Sequence, residues 1–119
     1  LVQSFRLLLY FPKEKKMPIV SETSVLSSND CEAYLYRFVN LNNHKTYVGV
    51  HKGSADDGYL HSSTNQEFKE ALQQDDFSRE ILEYGSYKEM SQREHVMLSE
   101  VDAKNNETYY NLSNGFSQT

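Results

Sequence analysis

The chain has a single cysteine, Cys31, so no internal disulfide can form, and a lone thiol suits a reducing compartment. Positive charge is also scarce. Twelve Lys and Arg (12) stand against 17 Asp and Glu, a net charge of −5. Attraction to phosphate or to an anionic membrane needs clustered cations, so the overall balance argues against a freestanding DNA or membrane binder. A nucleic-acid role would have to rest on a local patch, a metal ion or a further region. The apolar run Leu7–Phe11 is too short to span a bilayer or to form the core of a secretory signal. The sequons at Asn106 and Asn111 are therefore read as chance matches. There is no phosphate loop, no dinucleotide glycine fingerprint, no zinc-like Cys/His spacing, no internal repeat and no low-complexity tract. Scattered Ser, His and Asp do not make a triad.

What is present fits one domain of 119 residues. Residues 1–30 are expected to be an N-terminal arm, disordered or loosely packed. Within it Leu1–Lys16 is set apart, Met17 is a plausible start, and Pro18–Asp30 is a lead-in loop. Residues 31–116 form the domain, and 117–119 are a tail. The domain is organised around Ala33–His51. Two runs rich in Tyr, Phe and Val, Ala33–Asn40 and Lys45–Lys52, flank the turn-like Leu41-Asn42-Asn43-His44. A turn centred on Asn42-Asn43 sets Tyr36 opposite Gly49 and Phe38 opposite Tyr47. Alternation then places Tyr34, Tyr36, Phe38, Tyr47 and His51 on one face and Leu35, Arg37, Val39, Val48 and Val50 on the other. The phenol face is either a half-buried aromatic ladder or a reaction floor, with Gly49 leaving open space beside the rings.

Further along, Asp56 and Asp57 lie in a glycine-flanked segment, where turn chemistry competes with metal ligation. Ser63-Thr64-Asn65-Gln66 reads as a capping box for a helix burying Phe68, Ala71 and Leu72 and ending near Asp75. Phe77–Tyr84 reads as a third strand. Ser86-Tyr87-Lys88-Glu89 is a second capping box, opening a helix to about Ala103. Positions 87, 90, 94, 97 and 101 share one face of that helix. Four are apolar and the fifth is Glu94. A carboxylate in such a stripe has to be ion-paired, hydrated on a rotated helix, or bound to a metal. The tail around Tyr109–Leu112 is a candidate for a small extra C-terminal strand. The fold class is α+β: a three-stranded, mainly antiparallel sheet flanked by helices.

The ordered motifs resemble the GIY-YIG nucleases, phage homing endonucleases in particular. Tyr34-Leu35-Tyr36 is similar to the first motif, with Tyr in place of its usual Gly, and Tyr47-Val48-Gly49 is similar to the second. Ten residues (10) separate Tyr36 from Tyr47. His61-Ser62-Ser63, residues 77–83, Arg93-Glu94 and Tyr110-Asn111 follow in the family's order, and residues 56–63 resemble a phage subgroup. The likeness runs from about Ala33 to Gly115.

That resemblance implies a GIY-YIG-like sheet and a metal-dependent DNA endonuclease that hydrolyses phosphodiester bonds with a tyrosine, Tyr36 or Tyr47, as the base. It implies Tyr36 and Tyr47 at the cleavage site, Glu94 holding one Mg²⁺ or Mn²⁺, Asn111 supporting the site, and His61 where phage members carry a His. The family's helix Arg has no counterpart between Arg37 and Arg79. Lys52, with His51 beside it, is the candidate substitute, and a solvated strand-end lysine is the competing reading. A tyrosine of pKa ~10 is about 0.1% phenolate at neutral pH. It serves as a base only beside a cation or in a concerted transfer. The alternative function is a weak or inactive domain of this fold that binds nucleic acid or protein. A small α/β domain without a nucleic-acid role is a third reading. Expected partners are DNA and a separate DNA-binding domain or chain, with no membrane, and the expected location is the cytoplasm.

Overall fold

The computed structural model describes residues 19–24, 32–54 and 57–115. The readings of Leu1–Lys16, Met17, Cys31, Asp56 and residues 117–119 lie outside them. Five strands and helices of the expected set are present: β2 (Ala33–Asn40), β3 (Thr46–Lys52), α1 (Gln66–Gln74), β4 (Phe77–Gly85) and α2 (Tyr87–Val101). A further strand, β1 (Ile19–Ser24), precedes them, and a short 3-10 turn over Ala103–Asn105 follows α2. The fold is α+β. Its sheet has four strands in the order β1-β4-β2-β3. β2 pairs antiparallel with both β3 and β4, whereas β1 runs parallel to β4 from Ile19 opposite Phe77 to Ser24 opposite Ile81. The expected lead-in loop over Pro18–Asp30 is thus corrected, because its Ile19–Ser24 portion extends the sheet.

The β2–β3 register is the expected one, with Tyr36 opposite Gly49 and Phe38 opposite Tyr47. The reversal takes four residues, 41–44, and the left-handed position is His44 (φ 66°) rather than either asparagine. His44 N–H donates to the Asn40 carbonyl at 2.7 Å, and Asn40 N–H donates to the Lys45 carbonyl at 2.8 Å. Asn42 and Asn43 lie within this turn without adopting the left-handed backbone. Asn40 anchors it from inside: fully buried, its amide donates to Asp75 at 2.8 Å and to the Tyr110 hydroxyl at 2.9 Å. Its oxygen accepts from Asn42 N–H at 2.8 Å, so no polar atom of this side chain is left without a partner.

The two sheet faces carry separate cores. On one, Tyr34, Tyr36, Phe38 and Tyr47 pack with Phe68 and Leu72 of α1 and with Phe77, Ile81 and Tyr110. On the other, Leu35 and Val48 pack with Met90 and Leu98 of α2 and with Ala103. α1 is capped by Asn65, not Ser63: the Asn65 Oδ1 accepts from Glu67 N–H at 2.8 Å and Phe68 N–H at 3.4 Å. The Ser63 hydroxyl instead accepts from Asn65 N–H, one step upstream. α2 has the expected capping box at Ser86 and Glu89. Its buried face is turned from the expected stripe, however. Met90, Ser91 and Leu98 are buried, while Tyr87 and Val101 are exposed. With Ser91 buried beside Met90 and Leu98, the helix is rolled so that the ends of the apolar stripe lie outward. The tail adds a single parallel bridge, Thr46 to Tyr109, in place of a strand.

Candidate functional site

β3 ends the sheet, and a polar crevice of about 180 Å³ runs along this edge. Tyr47 of β3, the Ser62–Thr64 segment before α1, Glu94 and Leu98 of α2, and Asn111–Ser113 of the tail line it. Tyr47 belongs to the α1 side of the sheet and Glu94 to the α2 side. They meet only because an edge strand lets side chains from both layers reach around its rim. The crevice therefore unites Tyr47, Glu94 and Asn111, three residues singled out in the sequence.

Glu94 is partly buried, and among the described residues it accepts no hydrogen bond and makes no ion pair. Burial pushes its carboxyl up to about 7, with His95 opposing. The salt-bridge explanation of this carboxylate is thereby set aside for the described residues. Tyr47 is pushed up to about 12, by burial first and then by the negative charge that would form on Tyr59. Charge on Glu94 acts in the same direction, while a hydrogen bond from Tyr36 opposes. Tyr47 is accordingly a neutral phenol, a hydrogen-bond donor or acceptor rather than a ready base.

Tyr36 stands behind the crevice. It is completely buried, and its ring centre lies 6.2 Å from that of Tyr47. Its hydroxyl is 3.5 Å from that of Tyr59. Burial raises its pKa strongly. The space expected beside Gly49 is not open: a Cβ there would fall 2.5 Å from the Tyr36 hydroxyl oxygen and 2.6 Å from its Cζ. Gly49 is the seat of the Tyr36 phenol. His61 packs its ring against Tyr47 at 6.3 Å and Phe68 at 4.9 Å. Ser63 N–H donates to its Nδ1 at 3.0 Å, so the neutral ring carries its proton on Nε2. Burial and then Lys69 depress its pKa and keep it neutral.

Asn111 is buried and fully committed. Its Oδ1 accepts from Val48 N–H at 3.0 Å and its Nδ2 donates to the Val48 carbonyl at 2.8 Å. The remaining two candidates lie elsewhere. His51 stacks on Tyr59, with ring centres 3.6 Å apart and planes 10° from parallel, and its Nε2 bonds Asp57 at 2.8 Å. Asp57 also accepts from Tyr59 N–H, which is turn chemistry, as the sequence allows. Lys52 is exposed at the end of β3, 3.7 Å from Glu32 and over the Tyr87 ring. It does not line the crevice. The strand-end reading of Lys52 is the one its position fits.

The cation among the phenols is one the motif reading passed over. Arg79 of β4 is 3% exposed, donates to the Tyr34 hydroxyl at 3.1 Å, and lies 5.7 and 5.9 Å from the Tyr34 and Tyr36 ring centres. Its signal was alternation: Phe77, Arg79 and Ile81 must share a face, and that face is the apolar one. Tyr59, which touches both Tyr36 and His51, carried no comparable pattern.

Among the described residues no group of three or more His, Cys, Asp or Glu could hold a metal ion together, and Glu94 is the one carboxylate among the residues lining the crevice. No described helix is long and apolar enough to cross a membrane. Comparisons with family models, with curated proteins and with solved structures find no match for the chain.

Proposed function

We propose that this chain is a GIY-YIG-type endonuclease domain that hydrolyses phosphodiester bonds in DNA, using one divalent cation at Glu94. The observation that carries the reading is Glu94 itself, a partly buried carboxylate without a described partner that shares a polar crevice with the Tyr47 phenol. Such a carboxylate suits a hard cation: the crevice offers hydroxyl and carboxylate oxygens, and water would complete the coordination Mg²⁺ or Mn²⁺ prefers. Glu94 would hold the ion. Bound there, it would supply positive charge against the phosphoryl and leaving oxygens.

The chain's own groups have narrower tasks. Tyr47 donates a hydrogen bond into the crevice, and Tyr36 backs it from the core. His61, neutral with Nε2–H, is a second donor placed against Tyr47. Neither phenol is assigned as the base, because burial raises both. Lys52 is withdrawn as the phosphate-binding cation on account of its position. The acidic net charge calls for a separate DNA-binding domain or chain to supply affinity, and the lone cysteine suits a cytoplasmic setting.

The test is nicking of supercoiled plasmid with Mg²⁺ or Mn²⁺, alongside Glu94→Gln and Tyr47→Phe. Cleavage by the parent, abolished by Glu94→Gln, supports the enzyme. A parent that never nicks but retards DNA supports the second reading, a binding module of the same fold. That reading draws on two observations: both phenols are held neutral, and Lys52 is turned away from the crevice.

A further inference from the structure

Beyond Tyr110 the tail folds back over the crevice. Leu112 and Ser113 line it, and Asn114 then fastens the chain to the end of α2. Three hydrogen bonds converge on Asn114. Lys104 N–H donates to its Oδ1 at 2.9 Å, and its Nδ2 donates to Asp102 Oδ1 at 3.0 Å. Its carbonyl is 3.0 Å from His95 Nδ1, and since a carbonyl can only accept, that nitrogen carries the proton. Asp102 is the C-cap of α2 in a left-handed conformation (φ 49°), and it also accepts from Asn105. Gly115 comes next with φ +76°. A Cβ on it would lie 3.3 Å from Glu94 Oε1 and 3.5 Å from the His95 Cα. The backbone there passes close beside the Glu94 carboxylate, in a left-handed conformation that favours glycine.

We propose that Asn114 is a positioning residue for Glu94: by latching residues 112–115 onto the C-terminal end of α2, it closes one wall of the crevice and fixes the carboxylate for a single divalent cation. This rests on the metal reading of Glu94. The latch touches neither cation nor substrate and acts through the covering strap. Partners that orient a metal ligand from outside typically change affinity by about tenfold or more when removed.

Two readouts test it on the full chain. The first is Mn²⁺ binding followed by electron paramagnetic resonance for the parent, Asn114→Ala, and the exchange of Asp102→Asn with Asn114→Asp. The exchange reverses the donor and the acceptor of the latch while keeping the Lys104 bond. Asn114→Ala is expected to weaken Mn²⁺ binding about tenfold, and the exchange to restore it. The second uses Glu94→Cys in a Cys31→Ser background, where adding Asn114→Ala is expected to speed maleimide labelling of the new thiol about tenfold as the strap lifts. Unchanged Mn²⁺ affinity or an unchanged labelling rate in Asn114→Ala overturns the inference and leaves the nuclease reading standing. Failure of the exchange to recover affinity overturns it too. A parent that binds no Mn²⁺ sinks the cation reading itself, and this proposal with it.

Discussion

Replacing Glu94 by Gln should stabilise the protein, and only above acid pH. Burial lifts the Glu94 carboxyl from 4.5 to about 7. Between those values the folded chain holds a proton that the unfolded chain has released, so the unfolded state binds fewer protons and stability falls as pH rises. The loss begins near 4.5 and is complete just above 7. At about 1.36 kcal/mol per unit the span corresponds to about 3 kcal/mol, and water at the partly exposed carboxylate lowers that to about 2 kcal/mol. Gln has the shape of the protonated acid and no charge to desolvate. At pH 4 parent and variant should therefore melt together. At pH 8 the variant should be more stable by about 2 kcal/mol, roughly 8–16 °C in Tm for a domain of this size. Denaturation followed by circular dichroism at pH 4, 6 and 8 reads this directly, because acids common to both proteins cancel in the difference. Mg²⁺ at pH 8 should raise the parent and leave the variant unmoved. A difference independent of pH, or a variant less stable at pH 8, would refute the burial of an ionisable Glu94.

Three further outcomes follow from the packing. Gly49→Ala drives a methyl into the Tyr36 phenol and should cost about 2 kcal/mol, with part regained when Tyr36→Phe is added; a thermal melt decides. Asn65→Ala removes the α1 cap and should cost about 1 kcal/mol in chemical denaturation, whereas Ser63→Ala should cost less. Lys52→Ala should leave plasmid nicking by the parent unchanged within error, since its side chain sits with Glu32 and Tyr87. A large drop would return it to the site.

The hairpin was legible because two long alternating runs share one register that buries every ring, and a slip by one would have exposed them. β4 and the α2 capping box were legible on the same local grounds. β1 was not: residues 19–24 read as a polar lead-in, and their strand exists through backbone pairing to β4 rather than through any pattern of their own. The roll of α2 was hidden because Ser91 looks like a surface residue until helix and sheet are brought together. In the crevice, Glu94 announced itself by interrupting an apolar stripe. Arg79 was overlooked because charge in a strand is usually read as solvent-facing, even where its neighbours two positions away are Phe77 and Ile81. Lys52 was favoured by nearness in sequence to Gly49, which says nothing about direction at a strand end.

Asn111 deserves to be separated from the chemistry it sits beside. A terminal strand offers amide and carbonyl groups to any passing chain, and such rims recruit unwanted neighbours. Here the carboxamide of Asn111 occupies both groups of Val48, acting as one residue of a surrogate strand, while Thr108 and Tyr110 do the same at Thr46. Losing that amide would uncover a sticky border. A variant at this position could precipitate or self-associate while its reactive groups stayed intact, so its colloidal behaviour should be measured before any loss of turnover is ascribed to it.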